Sequence, residues 1–400
     1  MPRKVGVTSR GVRCGVIRKG DDLRKIVVDA VLDAANSEGY KIRDKDVVAI
    51  TESVVARAQG NYASIDNIAK DIKNKFGENA HIGVIFPILS RNRFAILLKG
   101  IARGTKKITL MLSYPSDEPG NALLTYDEID AKNVNPYSDV LSLEKYRELF
   151  GYKKHEFTGV DYIEYYETLI KNENCECEII FANQAKTILE YTKNVLTCDI
   201  HTRIRTKRIL KENGGNIVIG LDEILNESVD GSGYNEKYGL LGSNKATEDT
   251  VKLFPKDECN KLVDDIQKDF KEKTGKNVEV MVYGDGAFKD PQGKIWELAD
   301  PVVSPAYTKG LIGTPNEIKL KYLADNDYKN LSGDELKNAI KKSIKKKDSN
   351  LKGSMASQGT TPRQLTDLLG SLCDLTSGSG DKGTPIIHIQ GYFDNFTTEY

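Results

Sequence analysis

Apolar side chains recur every three or four residues at Leu23, Ile26, Val27, Ala30, Val31 and Ala34, the spacing that lines one face of an α-helix. The acidic pair Asp21-Asp22 suits the start of that helix and Gly39 its stop. A second helix is predicted from Asp257 to Thr274, with Cys259, Leu262, Val263, Ile266 and Phe270 on one face and Gly275 beyond its end. Short uninterrupted apolar runs stand elsewhere, at Val47–Ile50, Ile82–Phe86, Ile108–Leu112, Glu178–Phe181, Ile217–Ile219, Val278–Tyr283 and Pro385–Ile389. Runs that do not alternate with polar residues predict strands covered on both faces.

The pattern loosens twice. Residues from about 116 to 193 are rich in Tyr, Glu and Asn and mix loop with helix, an elaboration in which no chemistry is evident. Residues 306–352 carry Lys341-Lys-Ser-Ile-Lys-Lys-Lys347, which is the solvated face of a helix rather than a nucleic-acid patch.

Composition narrows the class. The chain has 400 residues, 39% of them apolar and 29% charged, enough for two packed domains of an ordinary globular protein. Lys+Arg and Asp+Glu both number 58, so no overall field draws it to nucleic acid or to anionic membrane. No apolar run approaches membrane-spanning length, and Met-Pro-Arg-Lys-Val lacks the apolar stretch of a secretion signal. Six cysteines without a C-x-x-C pair argue against structural zinc and against a disulfide framework. A reduced, cytoplasmic protein is expected.

Three separated segments carry candidate chemistry: Asn226-Glu-Ser-Val-Asp230-Gly-Ser-Gly233, Tyr283-Gly-Asp285-Gly286 and Gly378-Ser379-Gly380-Asp381-Lys-Gly383-Thr-Pro385. Each sets an aspartate beside glycine or serine in a turn. Glycine lets backbone N–H groups approach phosphate, and carboxylates with hydroxyls suit a hard cation such as Mg²⁺ or Mn²⁺. Asp285 is the leading single candidate, because it follows a buried strand directly and sits between two glycines. Asp230 occupies a similar turn. Gly378, Gly380 and Gly383 satisfy G-x-G-x-x-G, but a strand follows them at once, so the dinucleotide-binding context is missing. Walker A is absent too, although Lys245 in Gly242-Ser-Asn-Lys245-Ala-Thr247 is placed to meet a phosphate. If Cys198–Arg205 is a strand, alternation puts His201, Arg203 and Arg205 on one face as an anion-facing row. No histidine pair has metal-ligand spacing, and G-x-S-x-G is absent.

Six ordered blocks bring these pieces into one pattern: Gly20–Leu23, Asp46–Gly60, Asn226–Ser232, Leu253–Asp257, Val280–Asp285 and Gly378–Pro385. In that order the sequence resembles the coenzyme F(420)-0:L-glutamate ligase (γ-glutamyl ligase) family, with large additions. The resemblance implies an α+β fold of mixed and antiparallel sheets with packed helices, a homodimer, and a groove for GTP and a divalent metal. It implies that GTP phosphorylates a carboxylate acceptor and that the amine of L-glutamate attacks the acyl phosphate. By motif position Asp230 and Asp285 are metal ligands, Gly286 and Ser379 contribute to a second metal, and Arg57 binds nucleotide. Glu52, Gly233, Lys245, Gly378, Gly380, Asp381 and Gly383 complete the nucleotide set. Along the chain it implies a ligase core begun in 1–115, an insertion at 116–195 and a metal- and nucleotide-binding core at 196–305. A Lys-rich insertion at 306–352 and a return to the core with the glycine loop at 353–400 follow. The same fold joining another amino acid or acceptor, or a non-catalytic nucleotide-binding regulator, are the alternatives.

Overall fold

The computed structural model describes residues 4–155, 158–284, 304–358, 360, 363–377 and 381–398. The chain begins β1 (Thr8–Val12), α1 (Leu23–Glu38), β2 (Val47–Thr51), α2 (Glu52–Gln59), β3 (Tyr62–Ser64) and α3 (Ile65–Phe76). It continues β4 (His81–Ile85), α4 (Phe94–Arg103), β5 (Lys107–Leu112), α5 (Tyr126–Ala131), β6 (Leu141–Ser142), α6 (Leu143–Phe150) and α7 (Tyr162–Asn172). Then come β7 (Glu176–Phe181), β8 (Asn194–Thr197), α8 (Arg203–Glu212), β9 (Ile217–Gly220), β10 (Asn244–Lys245) and β11 (Thr250–Lys252). The remainder is α9 (Glu258–Thr274), β12 (Glu279–Tyr283), β13 (Ala306–Tyr307), α10 (Leu320–Tyr322), α11 (Gly333–Lys346), α12 (Leu365–Ser377) and β14 (Ile386–Gln390).

The architecture is α+β, with three sheets among the described residues. A five-stranded mixed sheet runs β1-β14-β2-β12-β13, a three-stranded antiparallel one β10-β11-β3, and a six-stranded one β6-β7-β5-β4-β8-β9. All neighbours in the last are parallel except β6 with β7.

The non-alternating apolar runs have the expected cause. In the five-stranded sheet Val48, Ile50, Val280 and Val282 pack with α1 and α9 on one face. The intervening Val47, Ala49, Met281, Tyr283, Ile387 and Ile389 pack with Leu369 and Cys373 of α12 on the other. The six-stranded sheet is likewise covered twice. Ile82, Val84, Ile108 and Leu110 share a core with α3, α4 and α7. Ile85, Met111, Ile180 and Val195 face Leu210 of α8 and the 3-10 turn Ala185–Glu190.

The predicted strand through Cys198–Arg205 is corrected: Arg203 opens helix α8. A distant carboxylate holds the turn that leads into it. The carboxylate of Glu118 accepts from the backbone N–H groups of Ile200, His201 and Thr202, at 2.7, 3.2 and 2.9 Å. These three N–H groups precede the first helical residue, and the carboxylate supplies the acceptor they need. At about 100° per residue, Arg203 and Arg205 do not share a face, so no anion-facing row forms.

Candidate functional site

β2 lies at the centre of the five-stranded sheet, parallel to β12 with Thr51 opposite Tyr283 and antiparallel to β14 with Ile50 opposite Ile386. The carboxyl ends of β2 and β12 and the entrance to β14 therefore meet at one edge. The Thr51 N–H donates to the Pro385 carbonyl at 3.0 Å, closing the seam. Two predicted loops adjoin this edge. Gly284 is the last described residue before Asp285, and Asp381–Pro385 lead into β14. Asp285, Gly286, Gly378, Ser379 and Gly380 lie outside the described residues. Asp381 is exposed in a turn, and Gly383 has φ 65°, a left-handed value suited to glycine.

Glu52 opens α2 at this edge. It is 4% exposed, and Lys252 at 7% meets it from β11. The Lys252 ammonium donates to both carboxylate oxygens, at 2.7 and 2.9 Å. Sequence alone does not reveal Lys252: a lysine in Thr250-Val-Lys252 gives the pattern of an exposed strand position, and its partner lies in a distant element. Arg57 is exposed in the last turn of α2, about 7.5 Å along the helix axis from Glu52.

The Asp230 turn is fixed to the same scaffold through β3. Lys252 is in register with Tyr62, and the Tyr62 carbonyl accepts from the Gly233 N–H at 2.7 Å. A Cβ at position 233 would stand 2.5 Å from Asn61 Oδ1 and 2.6 Å from the Tyr62 nitrogen, which explains the glycine. Fully buried Asn61 holds both sides, its Nδ2 donating to the carbonyls of Tyr234 and Phe254 while its Oδ1 accepts from the Tyr234 N–H.

Within the turn, Ser228 Oγ donates to the Ser232 carbonyl and the Val229 N–H donates to Ser232 Oγ. Asp230 at φ 50° and Gly231 at φ 75° make the reversal. The Asp230 carboxylate points outward, 57% exposed, and pairs with Lys70 of α3 at 2.5 Å. Lys245 belongs to a different surface. Its ammonium pairs with Glu248 at 2.5 Å, and its N–H bonds the Asn92 carbonyl before α4.

Among the described residues no group of three His, Cys, Asp or Glu side chains could hold a metal ion. Asp230 is the one described side chain of the expected ligand set. Its outward carboxylate is a hard oxygen donor of the kind Mg²⁺ or Mn²⁺ takes, so the chemistry at that position fits such an ion. No described helix is long and apolar enough to cross a membrane.

Comparison with known proteins adds a family-level match. The family model described as F420-0:Gamma-glutamyl ligase matches residues 11–391. No curated protein matches. Among solved structures, the biosynthetic arginine decarboxylase SpeA from Campylobacter jejuni aligns at 13% identity and a TM-score of 0.14. That alignment covers 92% of this chain and 66% of the decarboxylase, and a likeness so low carries no argument.

Proposed function

Since the chain belongs to the F420-0:gamma-glutamyl ligase family, and is thereby a ligase acting on glutamate, we propose that it draws on GTP to join L-glutamate to a small carboxylate acceptor through an acyl phosphate. The match over residues 11–391 carries this reading. A carboxylate resists attack by an amine until one oxygen becomes a phosphate leaving group. Making that phosphate is chiefly a matter of position and charge neutralisation.

In this reading the seam between β2, β12 and β14 is the floor of the reaction site. Backbone N–H groups of the 378–383 loop cradle phosphate, and Arg57 contributes a guanidinium able to grip two oxygens. Asp230, Asp285, Ser379 and the Gly286 carbonyl would hold Mg²⁺ or Mn²⁺, which when bound neutralises phosphate charge. Until then Lys70 keeps the Asp230 carboxylate compensated. Glu52 acts through Lys252, fixing the start of α2 against the seam. A homodimer completes the proposal, by resemblance to the family.

The test is phosphate release on mixing the protein with GTP, Mn²⁺, L-glutamate and a panel of carboxylates. Release that depends on an added carboxylate marks the ligase; tight GTP binding with no turnover marks a regulator instead. Asp285→Asn is expected to abolish release, by 100-fold or more, while circular dichroism stays unchanged. Undiminished turnover in that variant removes Asp285 from the mechanism.

A further inference from the structure

The segment that carries Asp230 departs from ordinary backbone twice. Leu225 at φ 52° and Asp230 at φ 50° both hold left-handed conformations that residues other than glycine seldom adopt. Such conformations persist only where surrounding contacts over-determine them, and they gather where a ligand is held. Leu225 is fully buried, so its conformation is fixed by the protein and not by water.

One stripe of α3 supplies those contacts. Asn67, Asp71 and Lys75 recur at four-residue spacing, which sets them along one face of the helix. Asn67 Nδ2 donates to the Val229 carbonyl at 3.1 Å. The same carbonyl accepts from the Ser232 N–H at 3.0 Å, closing the reversal with Asp230 at its corner. Asp71, 2% exposed, accepts from the Leu225 N–H at 2.7 Å. Lys75 Nζ donates to the same Asp71 oxygen at 2.8 Å, to Asn226 Oδ1 at 3.0 Å and to the Glu223 carbonyl.

The stripe is itself held in place. Asn67 Oδ1 accepts from the Ser64 N–H and the Ser64 hydroxyl at 2.9 and 2.7 Å, while Ser64 Oγ accepts from the Asn67 N–H at 3.1 Å. This capping box at the start of α3 orients the Asn67 amide, with its Nδ2 toward Val229. The Lys70–Asp230 pair is different: both side chains are more than half exposed, and an ion pair in water holds a turn weakly. The Asp230 carboxylate is therefore placed through its backbone, from α3, more than through its own charge.

We propose that Asn67, Asp71 and Lys75 are positioning residues for the metal ligand, presenting the Asp230 carboxylate to Mg²⁺ or Mn²⁺. The proposal rests on the reading of Asp230 as a ligand given above. Because the turn is formed beforehand, only the Lys70 contact has to yield when the ion binds, and little ordering is left to oppose binding.

Mn²⁺ binding to the full chain in the presence of GTP, followed by electron paramagnetic resonance, tests it with three variants. Asp230→Asn is expected to weaken binding about tenfold or more. Asn67→Asp keeps the acceptor of the capping box and loses the donor to Val229. Its added charge would by itself tighten cation binding, so the expected weakening of about fivefold reports position, and matches the loss of one hydrogen bond. Lys75→Met, which releases Glu223 and Asn226, should weaken binding at least as much. In turnover, both positioning variants should raise the Mn²⁺ concentration for half-maximal rate by the same factor and regain most of the rate at saturating Mn²⁺. A merely structural defect lowers the rate at every concentration and leaves that half-point where it was. Thermal unfolding checks the fold, and if Lys75→Met does not fold, Asn67→Asp decides. Wild-type Mn²⁺ affinity in the folded positioning variants, beside a weakened Asp230→Asn, overturns the positioning role alone. If Asp230→Asn binds Mn²⁺ as the wild type does, the ligand reading fails and this proposal fails with it.

Discussion

Glu52 and Lys252 put two opposite charges where little water reaches them, and neither is tolerable alone. Removing one partner of a buried pair strands the other and costs about 3–5 kcal/mol, whereas replacing both with neutral groups of similar size removes most of that penalty. Lys252→Met and Glu52→Gln should each destabilise the protein by that amount, and the double variant by clearly less than their sum. Urea denaturation of the four proteins measures the coupling; additive losses would show that the pair is not coupled. The pair also marks a limit of sequence reading. Position 52 stands out through its motif, but nothing local to Thr250-Val-Lys252 signals burial. A lysine declares itself a core residue only through a partner, and here the partner is brought in by the pairing of β3 with β11. Asp230 is the converse case, since Ser228, Gly231 and Ser232 give its turn away within five residues.

At the scale of elements, the runs Val47–Ile50, Ile82–Phe86 and Ile108–Leu112 were readable because a strand covered on both faces has no polar face to confuse the pattern. Helices α1 and α9 were readable for the complementary reason, a single apolar stripe ended by Gly39 and Gly275. Which strand pairs with which was not readable, since unbroken apolar strands carry little register information. The start of α8 failed for a related reason. The turn that leads into it is held by Glu118, more than eighty positions upstream, so the alternation of His201, Arg203 and Arg205 reads as a strand. Glu118→Ala should therefore cost about 1–3 kcal/mol, through the loss of hydrogen bonds to a charged group. Hydrogen exchange should show faster exchange of the Ile200, His201 and Thr202 amides, while protection in β4 and β5 is retained. Undisturbed protection at all three amides would mean that Glu118 does not hold this turn.

Across the whole molecule, one buried carboxyl should shape the dependence of stability on pH. Asp117, 6% exposed, ties the loop after β4 to the loop after β5, accepting from the N–H groups of Leu89, Gly120 and Asn121 and from the Asn121 side chain. Burial pushes its carboxyl up to about 7 from an ordinary 3.8, even against those donors. The folded state then holds a proton that the unfolded state has released, so stability is fully present below the unfolded value and is lost as pH rises through about 7. Urea unfolding at pH 5.5 and 8.0 should show the wild type losing more stability over that interval than Asp117→Asn, in which the titrating group is gone. Equal losses would mean that Asp117 does not titrate there. A different constraint follows from where β14 lies. It sits between β1 and β2, more than 330 residues after either, so a chain leaving the ribosome has β1 and β2 in hand long before the strand that joins them exists. Residues 81–220 can meanwhile pair among themselves, and a chaperone that holds the early strands apart would be guarding the slowest contact in the protein.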